Sequence, residues 1–228
     1  MGVRSWLAGG CAVSSLLLQR GRALQFSVEE KRVHGFLLVR ARAVSTPLLE
    51  AITRVGPVSS RGREPLSIEN FLARAIISQQ VSAVAASSIW GRVSNAARVA
   101  GVDAPTLAQS CAAQVLACGV SRNKVRALQG VCEAGRSGRL TESSLRQQAP
   151  CDRVGTLLAI HGVGPWTCDM TLLFHYHLPD VWPEGDTAVQ RTFKKLIGRR
   201  SYQRAAKLFV PYRSSLALSM WRYVGLDD

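Results

Sequence analysis

Acidic residues are scarce in this chain. Its 228 residues include 15 Asp and Glu against 29 Lys and Arg, a formal net charge of +14. No acid precedes Glu29. None falls between Thr187 and Leu226, a stretch that carries Arg191, Lys194, Lys195, Arg199, Arg200, Arg204, Lys207, Arg213 and Arg222. That asymmetry implies a polyanionic partner, nucleic acid or an anionic membrane surface, and says nothing about fold. Long apolar runs are missing too, none reaching about 18 residues, which argues against a membrane span. The six cysteines, Cys11, Cys111, Cys118, Cys132, Cys151 and Cys168, include no C-x-x-C pair. His34, His161, His175 and His177 show no H-E-x-x-H or similar ligand spacing, so a zinc site is not expected. Reduced thiols packed on apolar helix faces are expected for all six cysteines, and satisfied or solvated histidines for all four. No stretch alternates as a strand would, and no internal repeat is present, so the chain reads as all-α.

What is present is a globular composition, 47% hydrophobic, in a length that suits one domain or two small lobes. Residues 1–30 stand apart, with Arg4, Arg20 and Arg22 around a diluted apolar run from Trp6 to Leu18. An organelle presequence or a poorly ordered extension fits this better than a secretory signal, whose apolar core would not contain Gly9, Gly10, Ser14 and Ser15. Lys31 to Arg42 supports no assignment. Helices are expected from Pro47 to Val55, from Ser67 through Ile77, from Ser82 to about Val93, and from Pro105 to Leu116. Further helices are expected from Ser121 to about Ala134, from Thr187 to Ile197, from Tyr202 to Phe209, and from Tyr212 to Tyr223. Thr141 to Ser144 opens a short helix, which Pro150 breaks; Asp152 then starts another.

The chain is organised around residues 157–193. An apolar run, Leu157-Leu158-Ala159-Ile160, ends at Gly162-Val163-Gly164; Pro165 then opens a helix with Trp166, Met170 and Phe174 at helical spacing. Two helices joined by a glycine turn expose backbone N–H groups. Those of Val163 and Gly164 suit a phosphate, and the Thr167 hydroxyl can add a hydrogen bond. Gly-x-Gly alone is as often a plain turn; the charge tips the balance. Asp186 follows at the N-cap of the next helix, where the dipole favours an anion. By itself it reads as a cap.

This stretch resembles the helix-hairpin-helix followed by Gly/Pro and Asp of the HhH-GPD DNA glycosylase superfamily, and is most similar to its 3-methyladenine DNA glycosylase II branch. Two further segments resemble that branch: Ala75-Ile76-Ile77-Ser78-Gln79-Gln80-Val81-Ser82, and Gly119-Val120-Ser121-Arg122-Asn123-Lys124-Val125-Arg126-Ala127-Leu128. The likeness runs from about Thr46 to Tyr223. It implies an all-α, two-lobed helical fold with the substrate cleft between the lobes. One lobe would span about 67–167; the other would combine about 31–66 with 168–228.

The resemblance implies a catalytic role for Asp186. Cleaving a base–sugar bond builds positive charge on the sugar; a carboxylate beside it stabilises that charge and orients or deprotonates a water. Where bifunctional relatives carry a Schiff-base lysine this chain has Trp166, which implies a monofunctional glycosylase that leaves an abasic site and cuts no strand. Trp166 and Trp221 match pocket aromatics that would attract cationic methylated purines. Met170 stands where some relatives have a further aromatic, a departure that puts pocket selectivity in question. Both tryptophans taken singly read as core. Gln80 matches the wedge that fills the gap left by a flipped base, with Gln79 or Val81 able to share the task. The carbonyls of Leu158, Ile160 and Val163 match those that hold a monovalent cation in relatives. No cysteine follows Cys168, so the iron–sulfur cluster of other relatives is excluded, and no cofactor is expected.

The expected partner is double-stranded DNA with alkylated bases such as 3-methyladenine or 7-methylguanine, met by a monomer and no membrane. The expected setting is a DNA-containing compartment, nucleus or bacterial cytoplasm; organelle import through residues 1–30 is the alternative. Three rivals stand beside this: a non-catalytic helix-hairpin-helix DNA binder, a monofunctional glycosylase for deaminated or mispaired bases, and a membrane-surface protein. The glycosylase reading requires the Asp186 carboxylate to meet a rotated-out nucleotide; a carboxyl turned away from any cavity, or walled off by packed neighbours, would count against it.

Overall fold

A computed structural model describes residues 26–60 and 66–226. Nearly all of the expected N-terminal extension lies outside the described residues. Every regular element among the described residues is helical, and no helix is long and apolar enough to cross a membrane. The described residues divide into two compact units, 26–60 with 172–226, and 66–171.

The contiguous unit is built on two helices. Helix α3 (Ile68–Ser78) starts at the Ser67 cap, and eight of its eleven residues are buried. Helix α7 (Arg122–Arg136) starts at the Ser121 cap and buries Val125, Ala127, Leu128, Val131, Cys132 and Ala134 at i, i+3, i+4 spacing. Each Leu or Val so enclosed contributes roughly 1.5–3 kcal/mol. Around them stand α4 (Ala83–Val99), α5 (Ala104–Ser110), α6 (Ala112–Ala117), α8 (Glu142–Gln147), α9 (Pro150–Leu158) and α10 (Pro165–Met170). The expected single helix from Pro105 to Leu116 is two, because Cys111 leaves helical geometry at φ −144°, ψ 68°. The short helix ends before Pro150, as expected, but α9 begins at Pro150 rather than Asp152, with the proline in the first turn, where a missing N–H costs nothing. Buried Arg153 donates to the carbonyl oxygens of Leu145 (2.7 Å), Arg146 (3.3 Å) and Gln148 (3.0 Å), closing the end of α8.

The other unit draws on both halves of the chain. Lys31 to Arg42, unassigned from sequence, lies in α1 (Val28–Val44), whose start is a capping box between Ser27 and Glu30. Helix α2 (Thr46–Val55) follows after Ser45. Helices α11 (Thr187–Ile197), α12 (Tyr202–Lys207) and α13 (Arg213–Val224) complete the unit. Leu216 to Trp221 of α13 are all buried, so this helix is enclosed all round; it packs against α11, α2 and α1. Two thiols depart from expectation: Cys111 and Cys151 are exposed, whereas Cys132 and Cys168 are packed inside. Burial and the neighbouring Asp169 push the Cys168 thiol up to about 11, which keeps it protonated and inert.

Candidate DNA-binding hairpin and carboxylate site

The hairpin forms as the glycine pattern requires. Helix α9 ends at Leu158, Ile160 N–H donates to Leu157 O (3.1 Å), Val163 N–H donates to Ile160 O (3.0 Å), and α10 begins at Pro165. The two glycines do different jobs. Gly162 has φ +84°, and a Cβ added there would lie 2.2 Å from Ala127 Cβ on α7. Its glycine is therefore a demand of the fold. Gly164 has φ −100°, open to any residue, and nothing among the described residues lies within 4 Å of a Cβ added there. Nothing internal requires its bareness, whereas a ligand approaching the backbone would.

Two expected phosphate contacts need correction. The Val163 N–H is spent on Ile160 O within the turn, and Val163 is buried. Thr167 is 1% exposed, and its Oγ1 accepts a hydrogen bond from Gln79 Nε2 at 2.9 Å. Its hydroxyl thus serves the attachment of the hairpin rather than its surface. The Gly164 N–H has no acceptor among the described residues and remains the donor best placed for an anion. Ile160 O, one of the three carbonyls expected around a cation, already accepts from Val163 but has a second lone pair.

The Gln79 amide also donates to Gly162 O at 3.2 Å, so it too faces inward, not toward a strand. Gln80, beside it, is exposed and adopts φ +55°. A left-handed non-glycine residue costs roughly 1–2 kcal/mol. Trp166 is partly exposed, whereas Met170 is 1% exposed and packed on all sides, offering no wall to a base. After Met170 the helix widens into a π-helical turn, Thr171–His175, which the 3.6-residue pattern gave no sign of. The Thr171 hydroxyl donates back to Thr167 O at 2.7 Å.

In the other unit, the segment 178–185 carries the chain to Asp186 and is fastened to the start of α13. Arg213 forms a two-pronged ion pair with Asp180, at 2.7 and 2.8 Å, and holds that carboxyl below the usual carboxylate range. Arg213, counted from sequence among groups facing a phosphate backbone, is thus spoken for. Ser214 Oγ donates to Leu178 O (2.6 Å) and accepts from Val181 N–H (2.9 Å). Asp186 N–H donates to Pro183 O at 3.0 Å. The Asp186 carboxylate caps α11, its Oδ1 accepting from Val189 N–H at 2.9 Å and from Trp221 Nε1 at 3.1 Å.

Trp221, on the same α13, is 1% exposed and lies 5.7 Å from the Phe174 ring, tilted by 33°. Enclosed in this way it holds the carboxylate and presents no face of its own to a base. The sequence shows the aromatic character of Trp221 but not this role; a buried tryptophan's need for an N–H acceptor is the signal that points to it. Asp186 itself is 3% exposed, more enclosed than a carboxylate that meets a nucleotide was expected to be. This exceeds what capping needs. Asp103, the cap of α5, does that job half-buried with one bond, to Thr106 N–H at 2.7 Å. Burying a charge is costly unless donors compensate, and two fixed donors on one oxygen provide that compensation.

Seven of the expected basic residues, Arg191, Lys194, Lys195, Arg199, Arg200, Arg204 and Lys207, are exposed on α11, α12 and the turn between them.

The chain is 27% identical over 165 residues to the DNA-3-methyladenine glycosylase 1 of Schizosaccharomyces pombe, covering 69% of this chain and 72% of the relative. A solved 3-methyladenine DNA glycosylase of the same organism, in complex with abasic DNA, superposes with a TM-score of 0.71 at 22% identity, over 83% of this chain and 95% of that one. The crystal structure of a DNA-3-methyladenine glycosidase from Bacillus halodurans gives a TM-score of 0.67 at 28% identity, over 84% and 89% of the two chains. The family model described as HhH-GPD superfamily base excision DNA repair protein matches residues 73–209, a span that holds the Gln79–Ser82 turn, the glycine hairpin and Asp186, and the chain belongs to that superfamily.

Proposed function

We propose that this chain is a monofunctional DNA glycosylase that flips alkylated purines out of duplex DNA and hydrolyses their N-glycosidic bond, acting as a monomer without a cofactor. The observation that carries it is the pair of fixed donors on the Asp186 carboxylate, the Val189 N–H at the α11 N-terminus and the Trp221 indole N–H. As positive charge builds on the sugar, that carboxylate stabilises it and orients a water. Trp166 offers no amine, so water is the nucleophile and the product is an intact strand with an abasic site. Methylated purines already carry positive charge and leave readily, so little acid assistance is needed. The partly exposed Trp166 supplies an aromatic face for such a cation. The Gly164 N–H grips a phosphate, and the exposed lysines and arginines of α11 and α12 add a salt-sensitive attraction to the backbone.

Incubation with methylated duplex DNA tests this. Free 3-methyladenine or 7-methylguanine should appear by chromatography, and the strand should break only after later alkaline treatment. The enclosure of Asp186 favours one rival, a DNA binder without chemistry. Tight binding with no base released at any protein concentration would establish that rival instead. Release of deaminated bases alone would move the substrate class.

Trp221→Phe isolates the hydrogen bond to Asp186. It keeps an aromatic ring beside Phe174 and removes one donor to a charged acceptor. The expected loss is about tenfold in single-turnover rate, with affinity for an abasic-site analogue unchanged. An unchanged rate would show that the indole N–H does not position the carboxylate.

A further inference from the structure

Lys124, like Arg153, serves backbone carbonyls at a helix end, unlike the exposed cations of α11 and α12. It is half-buried on α7, and its Nζ donates to Ile77 O and Gln79 O, both at 2.8 Å. These carbonyls lie 47 and 45 residues away in sequence, at the C-terminal end of α3. A helix end leaves carbonyls without partners, and a cation there satisfies them and meets the negative end of the dipole. Burial sets the ammonium below its ordinary pKa. A lysine meant for phosphate would stay in water; this one gives up rotamer freedom and hydration to serve the interior.

We infer that Lys124 is a positioning residue: by clamping the end of α3 it holds the Gln79–Ser82 turn so that Gln80 projects in the one conformation that can enter a DNA stack. The inference rests on the proposed glycosylase reading. Gln79 is fixed twice, its carbonyl by Lys124 and its amide by Gly162 O and Thr167 Oγ1. Gln80, next in the chain, is left exposed at φ +55°. A left-handed non-glycine residue persists only where its surroundings impose it. Lys124 and Ala127, three apart on α7, are neighbours on one helix face. The first reaches the turn and the second packs under Gly162, so one helix sets the register of both loops.

The test needs no catalysis. A duplex carrying a tetrahydrofuran abasic analogue opposite 2-aminopurine reports intrusion into the stack as a rise in fluorescence. Wild type should raise it on binding. Lys124→Met should bind the same duplex within about twofold yet lose most of the rise, about fivefold, because no phosphate contact is removed but the turn is released. Lys124→Arg keeps a cation at the helix end but replaces the compact ammonium with a longer, planar fork that does not fit the same space; it should fall between the two, and it carries the test if the methionine variant fails to fold. A paired companion measurement compares excision of a methylated purine from a matched duplex with excision opposite an abasic analogue. The matched rate should fall about tenfold more than the other in Lys124→Met.

Equal fluorescence from wild type and both variants overturns the inference, as does no rise from wild type, or parallel loss of affinity and signal. A wild-type protein that releases no methylated base but raises fluorescence in a Lys124-dependent way would sink the glycosylase proposal and leave the clamp standing.

Discussion

Asp186→Asn should lower base release by at least about a hundredfold, the scale on which a fixed electrostatic group contributes to a charged transition state. The substitution is nearly isosteric, and an Asn oxygen can still accept from Val189 N–H and Trp221 Nε1. The cap of α11 therefore survives, and Tm should move little. What is lost is the negative charge. Affinity for an abasic-site duplex should hold or improve, because a carboxylate near DNA repels phosphate. Single-turnover kinetics beside equilibrium binding reads both effects. Matching losses of rate, affinity and Tm would make Asp186 a structural cap, and retained rate would remove it from the chemistry.

Gly162→Ala should be the most destabilising single methyl in the hairpin. Its new Cβ would sit 2.2 Å from Ala127 Cβ and 3.1 Å from Ala127 Cα, on backbone at φ +84°. Overpacking costs about 1–3 kcal/mol, and the left-handed backbone roughly 1–2 more. Tm should fall by roughly 10 °C. Adding Ala127→Gly removes the nearer atom and should restore part of the loss, leaving the backbone share. Gly164→Ala is the contrast: with open space around it and φ −100°, stability should stay within about 0.5 kcal/mol while DNA affinity drops. Equal stability losses at the two glycines would refute the division of labour between them.

Local chemistry made much of the fold readable from residues alone. Ser67, Ser82, Ser121 and Asp186 all cap the helices expected of them, because a cap needs only a short polar side chain and three following residues. The glycine hairpin and Pro165 were recognisable for the same reason. Helix α1 escaped notice because basic and apolar residues interleave along it, although Ser27 and Glu30 spell a capping box. The site was less accessible. That Thr167 turns inward, that Lys124 reaches across to α3, and that Trp221 hands its N–H to Asp186 are long-range facts. Each depends on which helices meet, and spacing along one helix carries no record of that. The π turn after Met170 was hidden likewise, since its residues fit an ordinary helix pattern.

Helix α13 has a consequence for how the protein is made. The unit of residues 66–171 is contiguous, so all of its own contacts are available once it has been synthesised, whereas α1 and α2 bury their apolar faces partly against α13. They must wait, exposed, through the synthesis of more than a hundred residues. The carboxylate at Asp186 gains its indole partner only when Trp221 emerges, 35 positions later. The acidic site is thus completed only after the whole of the intervening unit has been synthesised.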